Sequence, residues 1–215
     1  MYLILCRHGN TFDKGDKVVF AGCRQDFPLV ARGHEQAQAC AHALRTSGVI
    51  LASVYCGPLL RTRATAEMIA AQNSPSLGVA IDSRLDEIDY GAWAGLSSEE
   101  VASAFGQATL DAWNRLSIRP VNCGWAPSEE DIISQVRSFA AQTASRHGVH
   151  DKVLAVSSNG RLRYFLHLLP GEFKRRVQAG SFKVGTGHLC CLEFRDNNWN
   201  LLFWDVSPDN LEWRL

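Results

Sequence analysis

An arginine, a histidine and a glycine directly follow the first apolar run of the chain. The run spans residues 2–6, and Arg7, His8 and Gly9 come next. An arginine presents a planar fork of N–H donors that matches phosphate oxygens, and a histidine can act as a nucleophile or as an acid or base. A glycine lets a ligand approach the backbone closely. Residues of these types at this spacing indicate phosphoryl chemistry.

The segments around these residues have the pattern of an α/β sheet. Continuous apolar runs, which are typical of strands buried on both faces, occur at residues 2–6, 49–55, 77–81 and 152–157. Segments of helical period lie between them, and the longest begins at Ser128. Because ligands of open α/β sheets bind where the strands end, the Arg-His-Gly segment is expected at a functional edge of the sheet.

The expected architecture is a single domain over residues 1–215 with three layers, a mostly parallel central sheet with helices on both faces. Two late apolar runs, at residues 188–194 and 199–206, are joined by turn residues and predict a hairpin at the sheet edge. Residues 97–127 begin with a capping box and are later interrupted by prolines. This segment predicts a small helical cap over the site.

The composition excludes several classes of protein. The chain has 215 residues with 22 basic and 22 acidic side chains, so no overall charge attracts it to nucleic acid or to an anionic membrane. Its seven cysteines are scattered and contain no C-x-x-C pair, which argues against a disulfide framework or a structural zinc site. The apolar N-terminus is only as long as a strand. We therefore expect a cytoplasmic protein that binds neither membranes nor nucleic acid.

Four segments of the chain resemble motifs of the histidine phosphatase superfamily, in its phosphoglycerate-mutase-like branch. Residues 7–11 read R-H-G-N-T, and residues 22–37 read G-C-R-Q-D-F-P-L-V-A-R-G-H-E-Q-A. Residues 57–66 read G-P-L-L-R-T-R-A-T-A, and residues 85–95 read L-D-E-I-D-Y-G-A-W-A-G. Family members usually have a serine pair where this chain has Cys56 and Gly57, and phosphoglycerate mutases have an asparagine at the position of Lys14.

The resemblance implies a role for each matched residue. His8 would attack phosphorus and carry the phosphoryl group, while Arg7 and Arg61 would hold its oxygens. Glu87 would protonate the leaving alcohol, and the neighbouring acids Asp86 and Asp89 could help it to hold a proton. Because such a reaction needs only positioning and charge stabilisation, we expect no metal and no cofactor. The remaining phosphate-binding residues would be Asn10, Thr11 and Gly22.

The fifth family motif is incomplete in this chain. Family members read V-[S/T]-H-G-G or V-[S/T]-H-N-G, and their histidine donates to the phosphoryl group. Residues 156–160 read V-S-S-N-G, so Ser158 stands at the position of that histidine. Losing one preorganised donor typically costs about 10²- to 10³-fold in rate, whereas the nucleophile is still present. The chain could be a slow enzyme, an enzyme completed by another residue, or a phosphate-binding protein without turnover.

Three residues are candidates to occupy the place of the missing histidine. Ser158 and Asn159 are expected to line the phosphate pocket, and the backbone amides that follow Ser158 could donate to phosphate at a helix N-terminus. His188 lies in a segment that corresponds to the family's N-G-S segment and could approach the same place. The alternative for His188 is ordinary packing at the start of a strand.

The function that the sequence favours is a metal-independent phosphohydrolase. It would act on a small phosphorylated metabolite, a phosphate monoester, through a phosphohistidine intermediate and at an attenuated rate. The alternative is a catalytically inactive pseudo-phosphatase that binds phosphorylated ligands. Phosphoglycerate mutase activity is disfavoured because the predicted cap has only Arg115 and Arg119 as cations, with no adjacent arginine pair. The sequence leaves a homodimer open.

Overall fold

A computed structural model describes residues 1–212 and contains one six-stranded sheet. Its strands are β1 (Tyr2–Arg7), β2 (Leu51–Cys56), β3 (Val79–Ile81), β4 (Lys152–Ser157), β5 (Leu189–Arg195) and β6 (Asn198–Val206). The strand order is β3-β2-β4-β1-β5-β6. Strands β1 to β4 pair in parallel, whereas β5 and β6 form an antiparallel hairpin beside β1.

The described residues contain seven α-helices: one after each of β1 and β2, three between β3 and β4, and two between β4 and β5. They are α1 (Ala31–Thr46), α2 (Leu60–Asn73), α3 (Ser98–Phe105), α4 (Gln107–Leu116), α5 (Glu129–Arg146), α6 (Asn159–Leu162) and α7 (Glu172–Gln178). Within residues 1–212, no helix combines the length and the apolar character that crossing a membrane requires.

Alternating residues of β1 divide the protein into three layers. Leu3 and Leu5 point into a core that contains α5, the 3-10 helix at residues 163–168 and parts of α3 and α4. Ile4 and Cys6 point into a second core on the opposite face, formed with α1 and α2. Because β1 is covered on both faces, all its residues up to Cys6 are apolar and buried. The predicted α/β fold, with a mostly parallel sheet and helices on both faces, is confirmed.

The parallel register brings the ends of three strands together. Arg7 pairs with Ser157 at the end of β4, and Cys56 at the end of β2 pairs with Val156. The segments that follow these three strands therefore begin at the same edge of the sheet. They carry His8, the N-terminus of α2 and the start of α6.

The strand limits differ from the predicted ones where local hydrogen bonds compete with the sheet. The β2 strand begins at Leu51 rather than at residue 49, because the amide of Val49 donates to the Leu44 carbonyl at the end of α1. The edge strand β3 keeps only residues 79–81 of the predicted 77–81, since the amide of Leu77 closes a turn with Ser74. The predicted hairpin is confirmed as β5 and β6.

Helices α3 and α4 occupy most of the predicted cap segment. The capping box forms, because Ser97 accepts from the amide of Glu100 while the Glu100 carboxylate accepts from the amide of Ser97. Gly106, at φ 90°, separates the two helices. Val101 and Trp113 are buried in the same core as α5. This packing places α4 beside the edge of the sheet described above.

Candidate active site

One cavity of about 340 Å³ lies at the carboxyl ends of the parallel strands. It is lined by every predicted site residue except Ser158 and His188, namely Arg7, His8, Asn10, Thr11, Gly22, Arg61, Glu87 and Asn159. The sheet register explains this convergence, because these residues follow β1, β2 and β4 or lie on loops packed against them.

The imidazole of His8 is buried in this cavity in a defined orientation. Its Nδ1 lies 2.7 Å from the carbonyl oxygen of Gly9. A carbonyl oxygen can only accept a hydrogen bond, so Nδ1 carries the proton and Nε2 keeps the free lone pair. Burial lowers the pKa of His8 well below its ordinary value, and the positive charges of Arg7 and Arg61 lower it further. His8 is therefore a neutral imidazole at neutral pH.

Gly9 serves packing and does not face the cavity. An ideal Cβ on Gly9 would lie 2.7 Å from Cα of Gly33, and one on Gly33 would lie 2.9 Å from the amide nitrogen of Asn10. The loop after β1 thus touches the first turn of α1 backbone to backbone. The expectation that Gly9 admits a ligand is wrong in this respect, because helix α1 occupies the space beside it.

Arg7 reaches from the end of β1 along the wall of the cavity. Its Nη1 donates to the carbonyl of Val184 at 2.7 Å. Its Nε is buried and has no hydrogen-bond partner among the described residues. Burial lowers the pKa of Arg7, but a guanidinium in a protein stays charged. An anion in the cavity could supply a missing acceptor.

Arg61 lies in the first turn of α2 and is almost fully buried. Its Nη2 donates to the Gly22 carbonyl at 2.7 Å, and its Nη1 donates to the Gln25 carbonyl at 2.9 Å. The carboxylate of Asp26, in the same loop, accepts from the amide of Leu60 at 2.6 Å. Arg61 thus fixes this loop against the N-terminus of α2, where the helix dipole also favours an anion.

Glu87 is held against the start of α6. Its Oε1 accepts from the amide of Ile88 at 2.8 Å, and its Oε2 accepts from the amide of Gly160 at 3.2 Å. An ideal Cβ on Gly160 would clash with Oε1 of Glu87 and lie 2.5 Å from the hydroxyl oxygen of Tyr90. The absence of a side chain at Gly160 is therefore what lets Glu87 occupy this position.

The acids on either side of Glu87 have different surroundings. Asp86 accepts from the amide of Glu87 at 2.8 Å, and burial raises the pKa of Asp86. Asp89 forms an ion pair of 2.8 Å with Arg24 and accepts from the amide of Gly91. Of the two neighbours expected to help Glu87 hold a proton, Asp89 is thus already neutralised by a cation.

Ser158 and Asn159 behave differently, although both were predicted to line the pocket. Asn159 lines the cavity, and its Oδ1 accepts from the amide of Val184 at 2.9 Å. Ser158 is 1% exposed and lies outside the lining, and its Oγ has no partner within residues 1–212. The amide of Gly160 is already engaged by Glu87. The structure therefore does not direct that amide to a phosphate.

His188 lies outside the lining of the cavity because an aspartate holds it elsewhere. Its Nδ1 lies 2.8 Å from Oδ1 of Asp205, and the same oxygen accepts from the amide of Gly185 at 2.7 Å. The structure thus places His188 in ordinary packing at the start of β5. It does not bring His188 into the lining of the cavity.

The cavity also contains residues that sequence reasoning missed. They are the cations Arg163 and Lys183, the aromatic residues Tyr90 and Trp113, and Asn114 of α4. A signal for Arg163 was present, because it interrupts an otherwise largely apolar run from residue 162 to 169. Because arginine is rarely buried without a partner, an arginine within an apolar run indicates a possible anionic ligand. Nothing in the sequence distinguishes Lys183 from a surface lysine.

The charge of the cavity suits an anion. Arg7, Arg61, Arg163 and Lys183 line it together with a single carboxylate, Glu87. Within residues 1–212, no ion pair joins any of these four cations to a carboxylate. The described residues also contain no group of three or more His, Cys, Asp or Glu side chains that could hold a metal ion.

A mostly parallel α/β sheet that places a histidine beside two arginines at its carboxyl edge is the arrangement expected of histidine phosphatases. The sequence matches the Histidine phosphatase superfamily (branch 1) over residues 3–207. The chain therefore belongs to this superfamily.

Curated relatives and solved structures agree with this assignment. A 2,3-bisphosphoglycerate-dependent phosphoglycerate mutase of Brucella ovis is 28% identical over 185 residues, covering 85% of this chain and 88% of the relative. A putative alpha-ribazole-5'-P phosphatase of Escherichia coli is 25% identical with a TM-score of 0.76, covering 96% of this chain and 97% of its own. A mycobacterial glucosyl-3-phosphoglycerate phosphatase shares the fold, at 24% identity and a TM-score of 0.79, over 96% and 99% of the two chains.

Proposed function

We propose that this protein is a metal-independent phosphohydrolase that acts on a small phosphate monoester through a phosphohistidine at His8. The observation that carries the proposal is the state of His8. The Nε2 lone pair of His8 is free in a cavity that Arg7 and Arg61 also line, and the charges of both arginines lower the pKa of His8. A neutral imidazole beside two cations is suited to attack a dianionic phosphoryl group.

The proposed reaction has two steps. His8 Nε2 forms a bond to phosphorus while the bond from phosphorus to the leaving oxygen breaks, and Glu87 gives that oxygen a proton. Water then attacks phosphorus while the bond from phosphorus to His8 Nε2 breaks, Glu87 recovers a proton from the water, and inorganic phosphate leaves the regenerated His8. Arg7 and Arg61 stabilise the charge on the other phosphoryl oxygens in both steps. The proton stays bonded to Nδ1, which donates to the Gly9 carbonyl throughout.

The proposed rate is attenuated because Ser158 stands where the family motif has a histidine. A buried serine without a charge cannot replace an imidazolium donor at the phosphoryl group. Arg163 is a further buried cation that lines the cavity, and its guanidinium lies over the Trp113 ring. The site as proposed keeps its nucleophile and loses one donor.

Two other functions receive less support. Mutase activity is the function named for the Brucella ovis relative, but Arg115 and Arg119 of the predicted cap do not line the cavity. A pseudo-phosphatase that binds phosphorylated ligands without turnover would need no second histidine. The defined lone pair of His8 favours the hydrolase, because a binding site has no use for a nucleophile held in one tautomer.

The remaining parts of the proposal concern the cap, the ligand and the compartment. We propose that residues 97–127 act as a cap that shapes the ligand, because α4 contributes Trp113 and Asn114 to the lining of the cavity. The proposed ligand is a small phosphorylated metabolite, in keeping with a cavity of about 340 Å³. The cytoplasm is the proposed compartment, since all seven cysteines are free. A homodimer stays a prediction.

The test of this proposal is the release of phosphate from a panel of phosphate monoesters. We expect slow but measurable turnover by the wild-type protein and none by His8→Ala. The matched control is His150→Ala, which removes an exposed histidine and should keep the wild-type rate. Equal rates for the wild-type protein and His8→Ala would overturn the hydrolase in favour of the pseudo-phosphatase.

A further inference from the structure

Gln36 is an amide side chain at the edge of the buried face of helix α1. The buried positions of this helix are small or apolar and include Gly33, Ala37 and Cys40. Because residues three and four apart share one face of a helix, Gln36 lies between Gly33 and Cys40 on that face. Gln36 is half-buried, and a polar group in such a place needs hydrogen-bond partners in the fold.

The partners of Gln36 are two segments that form walls of the cavity. Its Oε1 accepts from the amide of Asn10 at 2.8 Å, and its Nε2 donates to Oγ1 of Thr186 at 3.1 Å. Asn10 belongs to the loop after β1, and Thr186 belongs to the segment before β5. Both residues line the cavity of about 340 Å³ that also contains His8. Gln36 therefore fixes two walls of the candidate active site to each other.

The segment that carries Thr186 packs on the backbone of the proposed nucleophile. The amide nitrogen of Gly187 lies 3.1 Å from the carbonyl oxygen of Arg7 and 3.3 Å from that of His8. Gly187 has a φ of 70°, and an ideal Cβ there would lie 2.7 Å from Cβ of Gln36. Glycine at this position thus lets Gln36 approach the segment. Thr186 precedes Gly187 and is held beside the start of the loop after β1.

The hydrogen-bond roles of these groups are fixed by their chemistry. A backbone amide can only donate, so the Gln36 atom that faces the Asn10 amide is the oxygen Oε1. The Nε2 group therefore faces Thr186, and because it can only donate, the Thr186 hydroxyl oxygen is the acceptor. Within residues 1–212, the Thr186 hydroxyl takes part in no other hydrogen bond. Its own hydrogen is therefore free to be donated to a ligand in the cavity.

We propose that the Thr186 hydroxyl donates a hydrogen bond to an oxygen of the phosphoryl group at His8, and that Gln36 is a positioning residue for this contact. The inference rests on the proposed function, which places the phosphoryl group at His8. Gln36 acts by occupying the oxygen of Thr186, so that the hydroxyl hydrogen is left for the phosphate. Thr186 thus adds a neutral donor to the two arginines, Arg7 and Arg61.

The first test separates the hydroxyl of Thr186 from its packing. Thr186→Val keeps the shape of the side chain and removes the hydroxyl, whereas Thr186→Ser keeps the hydroxyl and removes the methyl group. The dissociation constant of inorganic phosphate is measured by titration calorimetry, which needs no turnover. Release of phosphate from 4-nitrophenyl phosphate is measured in parallel. The matched control is Thr46→Val, which removes the hydroxyl of an exposed threonine of α1.

We expect Thr186→Val to weaken the binding of phosphate about tenfold, which is the effect of one hydrogen bond to a charged group. Thr186→Ser and Thr46→Val should both bind phosphate about as tightly as the wild-type protein. A packing role of Thr186 would give the reverse order, because valine fills the space of threonine and serine does not.

The second test concerns Gln36 as the positioning residue. Gln36→Glu keeps an acceptor for the Asn10 amide but cannot donate, so its carboxylate accepts from the Thr186 hydroxyl and withdraws that hydrogen from the phosphate. Gln38→Glu adds the same charge at an exposed position of the same helix and is the matched control. We expect Gln36→Glu to weaken phosphate binding about tenfold more than Gln38→Glu. In a Thr186→Val background this effect should be smaller, because no hydroxyl remains to be redirected.

Each part of the inference has a result that would overturn it. Wild-type affinity in Thr186→Val, or an equal loss of affinity in Thr186→Ser, would remove the contact with phosphate. An effect of Gln36→Glu that is equal with and without the Thr186 hydroxyl would be charge repulsion alone and would remove the positioning role. If the wild-type protein binds phosphate but releases none from the ester, the proposed hydrolase fails, while the affinities still decide the role of Thr186. Failure of the wild-type protein to bind phosphate would overturn both.

Discussion

Replacing Gly160 with alanine tests the position of Glu87 without altering any ionisable group. An ideal Cβ at this position would clash with Oε1 of Glu87, and it would lie 3.0 Å from Cδ of Glu87 and 2.5 Å from the Tyr90 hydroxyl oxygen. Gly160 lies in the short helix α6, and its φ is not positive, so alanine itself suits the backbone. The effect of the substitution should therefore come from displacing the carboxylate.

The expected losses of folding stability and of reaction rate follow from the contacts that Glu87 would lose. The added methyl group breaks the hydrogen bond of 3.2 Å between the Gly160 amide and Oε2. Overpacking of a buried site costs about 1 to 3 kcal/mol of folding stability. Misplacing a general acid costs about 10²- to 10⁴-fold in rate. The loss should be large only for esters whose leaving alcohol needs a proton.

The assay compares an alkyl phosphate with 4-nitrophenyl phosphate, whose leaving group departs readily as an anion. We expect Gly160→Ala to reduce kcat for the alkyl ester about 10²-fold and to affect the aryl ester much less. Glu87→Gln should give the same pattern. Gly78→Ala is the control, because a Cβ there meets nothing within 4 Å. If Gly160→Ala hydrolyses both esters at the wild-type rate, the assignment of Glu87 as the acid is refuted.

Three further predictions concern the nucleophile, the missing donor and the loop after β1. Arg61→Met should raise the pKa of His8 toward its ordinary value, because one of the charges that lower this pKa is removed. The acid limb of the pH–rate profile should then move to higher pH, and NMR titration of the imidazole measures the shift. Ser158→His should raise phosphate release by up to about 10²-fold in steady-state assays, and a rate at or below wild type would show that the ring cannot reach the phosphoryl group. Gly9→Ala should lower the free energy of unfolding, measured in urea, by about 1 to 3 kcal/mol, because the new Cβ would lie 2.7 Å from Cα of Gly33. Unchanged stability together with weakened phosphate binding would mean that a ligand occupies that space.

The sequence predicted the fold because its strands and helices have clear periodicities. Strand β1 is a continuous apolar run since it is covered on both faces, and the capping box at Ser97 marks the start of α3. The ends of elements were less predictable. They depend on single hydrogen bonds, such as the one that the Val49 amide gives to the end of α1.

The candidate site was predictable where residues follow strands and unpredictable where packing decides. The register of β1 and β4 is enough to bring Arg7 and the start of α6 to one edge. No local pattern shows that Asp205 holds His188, because His188 directly precedes β5 whereas Asp205 lies near the end of β6. The stacking of Arg163 on Trp113 joins segments that are fifty positions apart in the sequence. Such contacts are properties of the folded core.

Detecting a phosphohistidine at His8 tests the proposed mechanism directly. The protein is mixed with a rapidly hydrolysed aryl phosphate, quenched in alkali, in which a phosphoramidate survives, and digested for mass spectrometry. We expect a phosphoryl group on the peptide that contains His8. It should be more abundant in Glu87→Gln, because the attack of water is slowed, and absent in His8→Ala. If the wild-type protein releases phosphate but neither it nor Glu87→Gln shows any phosphorylated His8, His8 is not the nucleophile.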